Sequence, residues 1–366
     1  MNTAAVSLPL AATLRDHFAS VVLPIWRGPG FNTVMHLPYE AVSAAAGHSP
    51  LPVERYRAMA CARQLFVFSQ AGEPAHAHVL FEAMLHYFKD KQRGGWIYSV
   101  DAQGAPLDTT KDLYTHAFVV FACAEYAARF DNADARGLVH STSALIEARF
   151  GDQDGLFNAA LNADFSTVTG ARAQNPLMHL TEAWLAARDA TQDSAFDTAL
   201  RKLTDAIERT FVHAATGCIA ELPLGVEDNR LEPGHQFEWF WLIRQAGTLL
   251  DGSELDGALS RAFAFAQRHG VDPVTGGVCA SLDETGRVKD ATQRIWAQSE
   301  YLRALAVRDD AASRAVLPTQ IERFQQRFLH AHGWFECKTA AGEVSRADMP
   351  STTPYHLATA YAALRE

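Results

Sequence analysis

Four histidines stand at matching points of this sequence, each close after a polar, turn-rich stretch and near the head of an apolar helical segment. They are His116 in Tyr114-Thr115-His116, His179 in Asn175-Pro176-Leu177-Met178-His179, His235 in Pro233-Gly234-His235-Gln236-Phe237-Glu238, and His356 in Thr353-Pro354-Tyr355-His356. A fifth junction reads Arg294-Ile295-Trp296-Ala297-Gln298. An imidazole titrates near pH ~6.5, so it can take and return a proton at neutral pH. Two imidazoles held on either side of one carbon can act as base and acid for removing a proton beside a carbonyl.

Other residue types suit the same chemistry on a sugar opened to its chain form. Glu238 follows His235 by three positions, on the same helical face, and can fix the tautomer of an imidazole or bind a hydroxyl. Arg63, in Ala62-Arg63-Gln64-Leu65-Phe66, offers a fork of donors to an oxygen. Trp96 and Trp296 offer flat apolar faces to a pyranose ring. Each residue has a plainer reading as well. A single histidine at a helix start more often caps the helix or sits satisfied at the edge of the core, and Glu238 could be an ordinary helix carboxylate. Four histidines at matching points of a repeat weigh against coincidence. The other histidines read as surface or loop residues, and Trp184, Trp239 and Trp241 sit inside apolar runs that read as core.

The junctions need elements to hold them. Glycine-marked stretches recur about every sixty residues: Gly94-Gly95-Trp96-Ile97-Tyr98, Gly155-Leu156-Phe157-Asn158, Gly217-Cys218-Ile219-Ala220, Gly276-Gly277-Val278-Cys279 and Gly333-Trp334-Phe335-Glu336. Between them apolar residues fall at spacings of three and four, as in 117–129, 182–190, 195–212 and 254–269. Strand signals are short and confined to the glycine-marked hairpins. Two helices per sixty residues, six times over, predict about twelve helices, with 4–23 and 53–71 as the first pair. An open solenoid needs polar capping repeats, yet the last helix, 355–364, is as apolar as the middle ones. The expected fold is therefore an all-α (α/α)6 barrel, a toroid of six helical hairpins with short β-hairpins in its rim loops. No composition shift or linker divides residues 1–366, which read as one catalytic domain.

Composition narrows the partners. A net charge of −10 without a basic run disfavours nucleic acid and anionic membranes. Five cysteines, odd in number, widely spaced and without a CxxC pair, argue against a disulfide framework or a thiolate zinc site. No apolar run is long enough to span a bilayer, and Arg15, Asp16 and His17 interrupt the apolar N-terminal stretch, so no signal peptide is read and a cytoplasmic location is expected. There is no HExxH, GxxxxGK[ST], GxGxxG after a strand or GxSxG. His235 and Glu238 lack the second Glu-x-x-His unit of a helical di-iron site. The expectation is no cofactor, no metal and a small, weakly charged substrate. A carboxylate pair for glycoside hydrolysis, drawn from Asp112, Glu182 or Glu300, is the rival chemistry.

The quoted segments, in order from about residue 55 onward, resemble the N-acylglucosamine 2-epimerase family, which includes mannose isomerases, sulfoquinovose isomerases and cellobiose 2-epimerases. The matching pieces are Ala62 to Phe68, His116 to Phe118, Asn175 to Ala183, Pro233 to Trp239, Trp296 to Glu300 and Pro354 to Leu357. The resemblance implies an (α/α)6 barrel, a ring-opened monosaccharide and a cis-enediolate formed with His235 and His356 as acid and base. It places His116, His179 and Asn175 in the pocket, Arg63 beside the substrate oxygens and Glu238 behind His235. A D-mannose to D-fructose isomerase is the leading expectation. A sugar 2-epimerase is the alternative, and a toroidal glycoside hydrolase or a non-catalytic sugar-binding protein is more remote. A homodimer is a further expectation.

Overall fold

The structure, a computed structural model, describes residues 3–308 and 310–364. Thirteen α-helices are found among them. They are α1 (Thr3–His17), α2 (Leu23–Arg27), α3 (Ala58–Gln70), α4 (Pro74–Tyr87), α5 (Leu113–Phe130), α6 (Ala133–Phe150), α7 (Gln174–Thr191), α8 (Ala195–Phe211), α9 (Pro233–Ala246), α10 (Glu254–Gly270), α11 (Ile295–Arg308), α12 (Ala311–Phe328) and α13 (Thr353–Ala363). A π-helical turn at Phe18–Val22 joins α1 to α2. The chain folds as two compact units. One holds Pro29–Glu40 and Pro50–Thr210; the other holds Met1–Gly28, Ala41–Ser49 and Phe211–Glu366.

In the first unit α3, α5 and α7 lie in a row, with α4 packed on α3 and α6 on α5 and α7. In the second unit α9, α11 and α13 lie in a row, with α10 packed on α9 and α12 on α11. The two kinds of helix differ in sequence as their surroundings demand. From Ala58 to Ser69 every residue of α3 is buried, and α9, α11 and α13 are buried on nearly all sides. Their partners α6, α10 and α12 bury one stripe and expose the rest, as amphipathic helices on a protein's outside do.

The helices start earlier than the apolar periodicity suggests. Asp112 caps α5 by accepting from the Thr115 amide at 2.8 Å, so the helix begins at Leu113 and His116 lies inside its first turn. Gln174 opens α7, eight residues before its periodic segment. Side-chain caps and first-turn prolines set these starts, and a periodicity count does not see them.

The pairing also differs from expectation. Residues 53–71 do not partner 4–23; α3 pairs with α4, whose His76, His78 and His86 break up its apolar signal. Helix α1 packs instead on α12 and α13 at the far end of the sequence. The sixth pair is thus built from the two ends of the described chain.

Four of the glycine-marked stretches are tight turns closed by single β-bridges, Lys89 with Trp96, Gly151 with Phe157, Val212 with Ile219 and Val271 with Val278, and the fifth pairs Leu329 with Trp334 and His330 with Gly333. At Gly217, φ is +75° and a Cβ would strike the backbone of Ala258 on α10, so only glycine fits. Gly234, in the first turn of α9, serves closeness rather than conformation. A Cβ there would lie 2.7 Å from the ring of Trp296 and 2.8 Å from the Ala297 Cβ. Gly234→Ala should therefore cost about 1–3 kcal/mol by overpacking, lowering Tm by several degrees in a thermal scan. An unchanged Tm would mean that α9 and α11 do not meet this closely.

Candidate active site

Trp296, at the first turn of α11, stands between two histidines. Its ring centroid is 5.0 Å from that of His235 and 5.6 Å from that of His356, tilted 34° and 36° to them. All three side chains are almost wholly buried, at 6–8% exposure. Each imidazole is held through Nδ1 by a buried carboxylate: His235 by Glu221 at 2.7 Å and His356 by Glu300 at 2.8 Å. A carboxylate on Nδ1 makes that nitrogen the donor.

The carboxylate behind His235 is not the expected one. Glu238 points elsewhere. It, Glu300 and His356 bring one side-chain donor atom each within 4.8 Å of one another, as do Glu221, Glu232 and His235. Sets of this kind form around ion-paired histidines without a cation, and both rings are already committed through Nδ1 to their carboxylates. Burial alone would lower the pKa of His235. The charges of Glu221 and Glu232, the Glu221 hydrogen bond and the charge of Glu238 outweigh burial and raise it to about 9. His235 therefore rests as an imidazolium at neutral pH.

The other unit gathers a second cluster across α3, α5 and α7. Arg63 donates to the Tyr114 hydroxyl at 2.6 Å and lies 4.2 Å over the Phe118 ring. The His179 ring packs against Tyr114 and Phe118, with centroids 4.8 and 4.7 Å away, and its Nδ1 is 3.2 Å from Glu182. Asn175 is half-buried in the first turn of α7, and its side-chain oxygen lies buried without a hydrogen-bond partner among the described residues.

Two expected site residues serve structure instead. His116 is fully buried: its Nδ1 bonds the Asp112 carbonyl at 2.7 Å, and its Nε2 accepts the Trp96 amide at 3.1 Å. Both ring nitrogens are used, and burial holds the pKa down at about 4, so it can neither line a pocket nor relay a proton. Trp96 is 1% exposed and gives its ring N–H to Thr142 at 3.3 Å; no face is left for a sugar. The repeat explains the misplacement. Gln236 binds the Ile219 amide at 2.8 Å, and Gln298 binds the Val278 amide at 2.8 Å. Trp96, Ile219 and Val278 are equivalent bridge residues of successive turns, so His116 matches Gln236 and not its neighbour His235. All three are straps tying a helix start to its turn.

Asp112 is spent on the cap of α5, which removes it from the acidic candidates. Trp184 and Trp239 are core, at 1% and 0% exposure. Trp241 is half-buried, with the guanidinium of Arg303 over its ring. Sequence reasoning passed over Glu221, Glu232, Tyr114 and Arg303. A signal for Glu221 existed. It stands two residues after the bridge residue Ile219, and Glu336, two after Trp334, is likewise buried, accepting from Trp334 and Thr353.

Carboxylate-held histidines on paired helices can move protons, and the family match and the relative named next make this an isomerase or epimerase of sugars. The model of the N-acylglucosamine 2-epimerase (GlcNAc 2-epimerase) family matches residues 45–360, and the chain belongs to that family. It is 28% identical to the mannose-6-phosphate isomerase of Rhizobium meliloti, over 95% of this chain and 94% of that one. Its fold is similar to that of cellobiose 2-epimerase from Spirochaeta thermophila, with a TM-score of 0.83, 22% identity, and 98% and 96% of the two chains covered. It is also similar to the fold of a D-mannose isomerase, with a TM-score of 0.83, 20% identity, and 96% and 97% covered. No helix among the described residues is long and apolar enough to cross a membrane.

If His116 is a strap, glutamine should replace it. His116→Gln should keep turnover within about threefold, whereas His116→Ala orphans the buried Trp96 amide and should cost about 1–3 kcal/mol. The depressed pKa also has a sign. A ring with a folded pKa near 4 and an unfolded value near ~6.5 stabilises the fold above pH ~6.5, and that contribution is lost as pH falls towards 4. Denaturant titrations at pH 7 and pH 4.5 should show a smaller acid loss in His116→Gln than in the parent. An equal loss, or inactive His116→Gln, would return His116 to the site.

Proposed function

We propose that this enzyme interconverts an aldose and its ketose, D-mannose to D-fructose in type, through ring opening and a cis-enediolate. The observation that carries the reading is the His235–Trp296–His356 arrangement, with each Nδ1 on its own buried carboxylate. His356 takes the C2 proton of the open-chain aldose while His235 gives a proton to O1; His235 then takes the O2 hydroxyl proton as His356 returns its proton to C1, so both rings end as they began. His235, cationic at rest, is the acid that meets the oxygen on which charge develops; His356 is the base. Stabilising that oxygen is the costly part of the step, and a preorganised cation in a buried site does it well. In this reading Arg63, Asn175, His179, Glu238 and Trp296 contact the substrate. The Rhizobium relative, which aligns over 95% of this chain, is named for mannose 6-phosphate, and that supports an aldose of the mannose type.

The same reading takes the six helical pairs to close as an (α/α)6 toroid, with residues 1–366 as one catalytic domain. The chain runs back and forth between the two compact units, and the likeness to the cellobiose 2-epimerase fold extends over nearly all of it. The reading includes a cytoplasmic setting and a homodimer, the latter open to light scattering. A 2-epimerase differs only in where the proton returns. It becomes the better reading if purified protein given mannose, glucose, N-acetylglucosamine and cellobiose forms 2-epimers without ketose.

On the substrate that is converted, His235→Ala and His356→Ala should each lower kcat by about 10²–10⁴ with the helical circular dichroism unchanged. Near-parental turnover in both would hand the proton to a carboxylate. With His235 as acid, kcat should decline as pH rises through about 9; a profile flat to pH 10 would contradict that role. Turnover should also survive exhaustive dialysis against a chelator. Loss restored by manganese or zinc would make the Glu238–Glu300–His356 set a cation site.

A further inference from the structure

The two carboxylate–histidine pairs are not alike. Glu221, behind His235, has two more carboxylates near its histidine, Glu232 at 3.6 Å and Glu238. Glu300, behind His356, has a cation. The guanidinium of Arg303, one turn along α11, donates to Glu300 Oε2 at 3.1 Å, while Oε1 of the same carboxylate bonds His356 at 2.8 Å. Arg303 is 1% exposed and Glu300 is 0% exposed. The plane of Arg303 lies 3.2 Å from the ring centre of Trp241 on α9, one turn beyond Glu238 on the same helix.

A buried ion pair is a poor device for stability alone. Desolvating both charges costs several kcal/mol, and apolar residues of equal volume often stabilise as well or better. The pair here does something apolar residues cannot. It divides one carboxylate between two partners and so fixes the plane of Glu300, and hence of His356.

We propose that Arg303 is a positioning residue of the reaction: it clamps one oxygen of Glu300 so that the other aims His356, and its positive charge beside Glu300 favours the uncharged form of that ring. The charged groups facing His356 are then Glu300 from α11, Glu238 from α9, and Arg303 acting through Glu300; Trp296 and Tyr355 contribute ring faces without charge. Those facing His235 include Glu221, Glu232 and Glu238. In this role Arg303 acts through Glu300 and not on the substrate.

The inference rests on His356 taking part in proton transfer, and one arm of its test needs no substrate. In protein carrying ¹³C at histidine Cε1, the His356 resonance, assigned by its loss in His356→Gln, is titrated in the parent, Arg303→Gln, Arg303→Lys and Glu300→Gln. Removing the cation favours the imidazolium, so the His356 midpoint should rise by about one pH unit in Arg303→Gln. It should stay near the parental value in Arg303→Lys and fall in Glu300→Gln. On a converted aldose, the acidic limb of kcat should move in the same directions. Arg303→Gln should lose about tenfold or more in kcat with KM within about threefold, and Arg303→Lys should recover part of that loss. If Arg303→Gln lowers Tm and kcat but leaves the His356 midpoint and the acidic limb in place, Arg303 merely fills the core and the proposal is wrong. A midpoint that falls in Arg303→Gln, or no rescue by lysine, would overturn it too. If the parent converts no aldose at all, the isomerase reading fails, while the titration still decides the Arg303 clamp.

Discussion

The hydrogen bond between a buried carboxylate and the Nδ1 of an imidazole is the constraint around which this molecule is arranged. Two such bonds, Glu221–His235 and Glu300–His356, lie on either side of one tryptophan, and a third joins Glu182 to His179 in the other unit. Each bond fixes a ring plane and the direction of Nε2 at once. Each also places a charge where water cannot screen it, which is tolerable only if the partners cannot move apart. The surrounding structure supplies that rigidity. Gly234 lets Trp296 press against the start of α9, and the ring of Trp296 then spaces the two imidazoles.

The repeat provides the frame, and the chemistry sits one residue away from it. At three junctions a polar side chain in the first turn of a helix, His116, Gln236 or Gln298, binds the backbone of the preceding glycine-marked turn. Those straps set where each helix begins relative to its turn. His235 is the neighbour of a strap, rotated about 100° around the helix from it, and so faces a different direction. A repeat built for structure thus carries, at adjacent positions, residues free to diverge for catalysis.

Much of this was legible in the sequence. The helical segments showed because apolar residues recur at three and four, and the turns showed because left-handed backbone at residues such as Gly217 selects glycine. His235, Trp296 and His356 drew notice because residues of their type cluster at junctions, and the structure brings the three rings together. What was hidden depended on contacts across the fold. Glu221 lies fourteen residues from His235, in a different turn, so the nearer Glu238 took its place in the reading. His116 and His235 look alike in sequence, and only their hydrogen bonds separate a ring that binds a backbone turn from one held by a buried carboxylate. The partnership of α1 with α12 and α13 joins the two ends of the described chain, which no local pattern reports.

The central claim is that a histidine pair, and not a hydride shift, moves hydrogen between carbons. The direct measurement is turnover of D-mannose in deuterated water, followed by proton and deuterium NMR of the fructose formed. Proton transfer through an imidazole is expected to leave solvent deuterium at C1 of fructose in a measurable fraction of turnovers, even where a shielded ring returns part of the original hydrogen. Complete conversion with the substrate's own C2 hydrogen retained in every product molecule would contradict the account.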